Sequence, residues 1–212
     1  MLALKAECLI QAKETDKCVE VLNHVCRLYN VSQSNSRVPF DYEVSIPREA
    51  FDFGVDEYLK VCAQLAECYS SQKRHDLAAE KYEAVKRRIL GEVVFDKPIL
   101  LVNTLCSLAN AQMQLNAFEG ARENYAHALQ VIEKLGSSSV KFGTQQVSKI
   151  LFNMGVIESA TDNVEAAVAF YEACLGASTS QKEMLKCFEV LGHECVKAQF
   201  FNNAIDWFQK GM

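Results

Sequence analysis

The chain is predicted to be all-α, an array of about five antiparallel helical hairpins. Three observations predict this. Only three prolines and nine glycines interrupt 212 residues, and the stretches between them are rich in the good helix formers Ala, Leu, Glu, Lys and Gln. Apolar residues recur at three- and four-residue spacing in segment after segment. One pattern, clearest in KVCAQLAECYSSQKRHDLAAEKYEAV from Lys60 to Val85, returns along the chain. It has two amphipathic segments around a polar turn, with small residues among the large ones on the facing sides. Small residues let antiparallel helices approach, and large ones fill the gap between them. One such hairpin cannot bury its own apolar face, so it needs neighbours of its own kind.

Residues 2–13 and about 16–30 read as the first hairpin, turning at Lys13–Asp16 with Asp16 as N-cap. Its second helix buries Cys18, Val21, Leu22, Val25 and Leu28. Residues 31–54 break the period, and Pro39 and Pro47 bar a continuous helix there. Phe40, Tyr42, Phe51 and Phe53 are too apolar for a free linker. Two readings stay open for this stretch: an ordered excursion packing its aromatics on neighbouring helices, or an insertion that binds a partner.

Residues 55–212 then carry four hairpins. The first has helices over about 55–72 and 75–90, turning near Lys73–Asp76 and ending at Gly91. Cys62, Leu65, Ala66 and Tyr69 face Ala78, Tyr82 and Val85. Asp96 is expected to cap the next helix, with Pro98 in its first turn, running to about Leu115. Leu105, Leu108 and Ala109 form its buried stripe. After Asn116, Ala121, Tyr125 and Ala128 repeat the spacing of Ala78, Tyr82 and Val85, and Gly136 ends that helix. Leu151, Met154 and Gly155 precede a turn at Thr161–Asn163, with Ala167, Tyr171 and Cys174 after it. Phe188, Leu191, Gly192 and Cys195 precede a turn expected at Phe200–Asn203, with Ala204, Phe208 and Gly211 after it. The chain opens and closes inside expected helices. Solenoids need polar end caps, so the sequence reads as a fragment or one domain of a larger protein.

These registers resemble the tetratricopeptide repeat (TPR) family. In that family a large residue, Leu-Gly or Leu-Ala, and then Tyr mark the first helix, and Ala, an aromatic and Ala mark the second. The Lys60–Val85 hairpin matches best and residues 1–30 worst, with Lys5 where leucine is expected. Gln112 and Glu158 stand where the family has tyrosine. The framework small residues Cys18, Ala78, Ala121, Ala167 and Ala204 are 60, 43, 46 and 37 residues apart, against about 34 in a compact repeat. Helices or connections must therefore be long. The resemblance implies a right-handed superhelical α-solenoid that binds other proteins. A narrower likeness is to the C-terminal repeat region of the subunit-12 family of the transport protein particle (TRAPP), a membrane-tethering complex. It is carried by Leu4, Ala6, Glu7, Ala66, Cys68, Ala78, Tyr82 and Val85, and would imply a non-catalytic role in vesicle-mediated transport.

Composition excludes several classes. A net charge of -5 and a pI near 5.5 argue against a dedicated nucleic-acid surface or an anionic-membrane surface. The basic runs Lys73–His75 and Lys86–Arg88 stand roughly 20 Å apart at 1.5 Å rise per residue and form no single patch. No apolar run is long enough for a membrane span, and nothing marks a signal peptide. The nine cysteines lack a Cys-x2-Cys pair. They read as reduced thiols of a cytoplasmic protein, with Cys18, Cys62, Cys174 and Cys195 filling core positions. Cys62 and Cys68 diverge by roughly 240° around one helix. Cys187 and His193 diverge in the same way, which argues against a nucleophile–base pair. No metal, cofactor or catalytic residue is expected.

The surface with the clearest functional content is the groove lined by first helices. In some TPR arrays it clamps a peptide's terminal carboxylates with Lys and Asn, then Asn, then Lys and Arg. In register, this chain offers Cys106 and Asn110, then Asn153, then Lys186 and Val190. Asn103, Asn110, Lys149, Asn153, Lys186 and Lys197 are the candidate groove residues. The expectation is a non-enzymatic scaffold or adaptor, such as a subunit of a tethering complex. The alternative is a regulatory domain whose groove recognises acidic or C-terminal peptides.

Overall fold

The computed structural model describes residues 15–33, 55–91, 97–135 and 144–212. The expected helix over 2–13 and most of the 31–54 excursion, with Phe40, Tyr42, Phe51 and Phe53, lie outside the described residues; residues 31–33, expected to break the period, continue the preceding helix. The chain divides into two compact units, residues 1–95 and 96–212. All regular structure among the described residues is α-helical.

The first unit contains α1 (Thr15–Gln33), α2 (Val55–Ser71) and α3 (His75–Leu90). The second contains α4 (Pro98–Gln114), α5 (Phe118–Leu135), α6 (Thr144–Ala160), α7 (Val164–Ala177), α8 (Gln181–Lys197) and α9 (Phe201–Lys210). Within each unit every helix packs on the next in sequence. Helices of 16 to 19 residues in most of these hairpins account for part of the long framework spacing. No helix among the described residues is long and apolar enough to cross a membrane.

The framework residues are where the pattern places them. Cys18, Leu65, Ala66, Ala78, Leu105, Ala109, Ala121, Tyr125, Ala128, Ala167 and Leu191 are all buried. Gly155 and Gly192 show why a small residue is needed at the close approach. A Cβ on Gly155 would fall 2.5 Å from the Tyr171 ring, and one on Gly192 would fall 2.4 Å from the Phe208 ring. In these two hairpins the aromatic of the second helix lies so close to the first-helix backbone that even a methyl group would displace it.

The turns repeat down to individual hydrogen bonds. Lys73, Asn116, Asp162 and Gln199 all adopt left-handed backbone, with φ between 57° and 63°. The residue after each donates its N–H five residues back, to the carbonyls of Tyr69, Gln112, Glu158 and Cys195, at 2.8 to 2.9 Å. Each left-handed residue donates three back. Together these are the two bonds of a Schellman helix end. The residue that closes the motif (Arg74, Ala117, Asn163, Phe200) then accepts the N–H of Ala78, Ala121, Ala167 or Ala204 at 3.0 to 3.1 Å. One three-residue turn thus ends a helix and starts the next.

Several expected boundaries change. Asp16 lies in the first turn of α1 and does not cap it, and its carboxylate accepts from Gln72 Nε2 at 2.7 Å. Lys97, not Asp96, holds the N-cap of α4 and makes no side-chain cap bond. The last turn is Ala198–Phe200, earlier than expected, because Gln199 takes the left-handed position and α9 begins at Phe201. Helix α9 ends at Lys210, so Met212 is not helical.

Candidate functional site

The second unit holds a cavity of about 430 Å³ bordered by α4, α6 and α8, the first helices of its three hairpins. Five of the six candidate groove residues line it: Asn103 and Asn110 from α4, Lys149 and Asn153 from α6, and Lys186 from α8. Lys197 stands apart. Its ammonium group donates to Glu194 Oε1 at 2.8 Å and Ser159 Oγ at 3.1 Å. Cys106 lines the cavity too, whereas Val190 packs against the core of Ala167, Tyr171 and Leu191. The arginine place of a carboxylate clamp is therefore apolar in residue type and in surroundings.

The cavity floor is a hydrogen-bonded group that no single segment reveals. The Tyr125 hydroxyl donates to Asn110 Oδ1, and Asn153 Nδ2 donates to Tyr125 Oη at 2.8 Å and Asn110 Oδ1 at 3.1 Å. Tyr125 was recognisable as a framework aromatic. Its ring does pack in the core, but its hydroxyl reaches through to the groove and fixes both asparagines. Burial raises its phenol pKa, so the group stays a neutral donor.

Around that floor the charges are unequal. Lys149 and Lys186 are exposed and form no ion pair with any described residue. Glu183 is the one carboxylate in the lining, and it accepts from Ser148 Oγ at 2.9 Å and Ser178 Oγ at 3.3 Å. Burial pushes the Cys106 thiol up to about 11, against a hydrogen bond from Gln146 that lowers it. Cys106 is thus a neutral, inert wall at physiological pH. The arrangement can hold an anionic group between two ammonium heads, with amide hydrogen bonds below.

A second cavity of about 690 Å³ in the same unit has the opposite character. Asp162, Glu165 and Glu172 border it together with Val168, Phe200 and Trp207. Beside it Phe200, Phe201 and Ile205 are each more than half exposed.

Cys18, Cys62, Cys174 and Cys195 lie in the core, as their register implied, but the structure adds a pairing. Cys18 and Cys68 bring their sulfurs to 3.5 Å, Cys26 and Cys62 to 3.7 Å, and Cys174 and Cys187 to 3.3 Å. Cys62 and Cys68 diverge on α2 as expected. Each instead meets a cysteine of α1, because the antiparallel partner brings cysteines eight residues apart against cysteines six apart. His193 is exposed and stacks edge-on against Phe208, away from Cys187. No group of three or more metal-binding side chains occurs among the described residues.

A tetratricopeptide repeat family model matches residues 148–181, which fall on the α6–α7 hairpin and the start of α8. No curated protein matches the sequence. Among solved structures, BtubC (BKLC) from P. vanneervenii is similar over 99% of this chain and 76% of its own, with a TM-score of 0.73 and 19% identity. MamA is similar over 97% of this chain and 91% of its own, with a TM-score of 0.67 and 10% identity. The Rap conjugation gene regulator of plasmid pLS20, solved in complex with the Phr* peptide, is similar over 97% of this chain and 50% of its own. Its TM-score is 0.60 and its identity 11%. These likenesses establish the fold, an all-α solenoid of the TPR kind. Nothing in them supports the narrower resemblance to a TRAPP subunit.

Proposed function

We propose that this chain is a non-catalytic protein-interaction scaffold whose groove over residues 97–212 takes an acidic or C-terminal peptide. The observation that carries the reading is the cavity itself. Lys149 and Lys186 reach it without ion-pair partners among the described residues, above asparagines already oriented by Tyr125. An anion binding there would not have to break a salt bridge first. The likeness to a Rap regulator solved with a peptide supports the same reading at the level of fold.

The test is fluorescence anisotropy with a labelled peptide ending in two acidic residues. The wild-type chain should bind it. Lys149→Ala/Lys186→Ala should weaken binding by about tenfold or more, as two charge-assisted contacts are lost. Asn153→Ala should weaken it less. Equal binding by all variants, or no binding at all, removes the proposal.

A second reading is that of a fixed subunit of a larger assembly, of which a vesicle-tethering complex in the cytoplasm is the form the sequence suggests. The exposed Phe200, Phe201 and Ile205 beside the acidic cavity favour it, because clustered apolar surface is commonly covered by a partner. Size-exclusion of the protein from cells separates the readings. A stable large complex is expected of a subunit, and a free or exchanging species of an adaptor.

A further inference from the structure

We propose that Cys26 and Cys62 are a modification site, a dithiol that a hydroperoxide converts reversibly into a disulfide clipping α1 to α2. The two sulfurs face each other at 3.7 Å. A disulfide needs about 2.05 Å, so side-chain rotation must bring them closer by less than the width of an atom. The helices that carry them are held in register on the same face by Asp16 with Gln72, Cys18 with Cys68 and Asn23 with Tyr69. The thiols therefore stay opposed through thermal motion.

Access singles this pair out from the other two. Cys18, Cys174 and Cys187 are 0%, 1% and 0% exposed, and Cys62 and Cys68 are each 5% exposed, so Cys26 alone of the six opens its pair to solvent. Cys26 is only half-buried, so a small oxidant reaches the Cys26–Cys62 pair from solvent. The surroundings also favour reaction there. The hydrogen bond shared with Cys26 lowers the Cys62 pKa; the Tyr58 hydroxyl and the Lys81 ammonium add to this, and burial opposes it. Cys26 is held protonated by the same hydrogen bond and by burial. In the Cys18–Cys68 pair, burial and then Cys18 push Cys68 up to about 12.

The chemistry balances with a hydroperoxide as oxidant. The Cys62 thiolate attacks the terminal peroxide oxygen; the O–O bond breaks, an S–OH forms and the alcohol (or water) leaves with a proton. The Cys26 sulfur then attacks the Cys62 sulfur, the S–S bond forms, and its proton leaves with the hydroxyl as water. Two thiols lose two electrons and the peroxide gains them. The product closes a loop between residues 36 apart and restrains α1, whose described packing in its unit is mainly against α2.

The test treats the reduced 212-residue chain with graded hydrogen peroxide, blocks remaining thiols in denaturant, and maps peptides without reduction. A Cys26–Cys62 cross-link, two hydrogens lighter than its separate peptides and removed by dithiothreitol, should appear first. Cys18, Cys68, Cys174 and Cys187 should still be alkylated, and the oxidised chain should melt several degrees higher. Cys26→Ser should abolish both the cross-link and the rise in melting temperature. Oxidation of Cys26 to sulfinic acid beside a free Cys62 would overturn the proposal. So would a different pair linking first, no linkage at all, or a melting rise that persists in Cys26→Ser. The wild-type map needs no variant, so a misfolded Cys26→Ser would leave the test intact.

Discussion

Ala78→Asp is expected to cost about 4 kcal/mol or more and to leave α2 and α3 without stable packing. Ala78 is fully buried where α3 meets α2, with its amide bound to the Arg74 carbonyl that closes the turn. A carboxylate there loses its hydration and has no space for a compensating partner, one of the few mechanisms that produce losses of this size. A small domain is stable by only about 5–15 kcal/mol in total. The substitution therefore removes a large share of what holds residues 55–91 together. Ala84→Asp lies on the exposed side of the same helix and should change stability by about 0.5 kcal/mol or less. Urea titrations followed by circular dichroism would compare the two. A wild-type midpoint for Ala78→Asp would mean that the framework register is misplaced, and with it the assignment of first helices to the groove.

That register is also what made the sequence legible. Burial of Ala78, Tyr82 and Val85 was readable because helical periodicity is a local property, and the same spacing at Ala121 and Ala167 located the later hairpins. Five candidate residues could be placed beside one cavity for the same reason: once first helices are known, their polar positions follow. Other features depend on which residue a second helix brings near, and spacing within one helix carries no trace of that. The Tyr125 hydroxyl in the cavity floor is one case, and the pairing of Cys26 with Cys62 is another. The turn at Thr161–Asn163 was located as it stands, but the last was displaced, and the left-handed positions gave no help because they hold Lys73, Asn116, Asp162 and Gln199. Glycine, the usual marker of that backbone, is absent from all four.

Glu158 is the sharpest instance, and it yields the second large prediction. It stands where the repeat pattern has tyrosine, yet it is 5% exposed. Such a carboxylate must be compensated. The compensation comes from two sides: Arg122 Nε of α5, in the preceding hairpin, donates to Glu158 Oε1 at 2.8 Å, and Asn163 Nδ2, in the turn of its own hairpin, donates to Oε2 at 3.0 Å. Glu158, by the same hydrogen bond and then by its charge, raises the Arg122 pKa. Gln112, at the other position without tyrosine, is likewise held by a second-helix partner, Asn124 Nδ2 at 2.8 Å. A polar pair thus replaces the tyrosine at both places, and at Glu158 that pair links consecutive hairpins.

Arg122→Met is expected to cost about 2–3 kcal/mol. The upper range for breaking a buried ion pair is about 3–5 kcal/mol, discounted because the Arg122 side chain is 32% exposed and partly screened. The loss arises from the stranded carboxylate and not from the missing arginine. Arg122→Met/Glu158→Tyr, which restores the repeat's usual residue, should therefore recover most of it. Glu158→Tyr alone should cost less than Arg122→Met, since a surface-reaching guanidinium left behind can be hydrated. A double-mutant cycle read by thermal melting would then give a coupling of at least about 1 kcal/mol. Additive losses would show that Glu158 is held by Asn163 and the helix end, and that the link from α5 to α6 is packing alone.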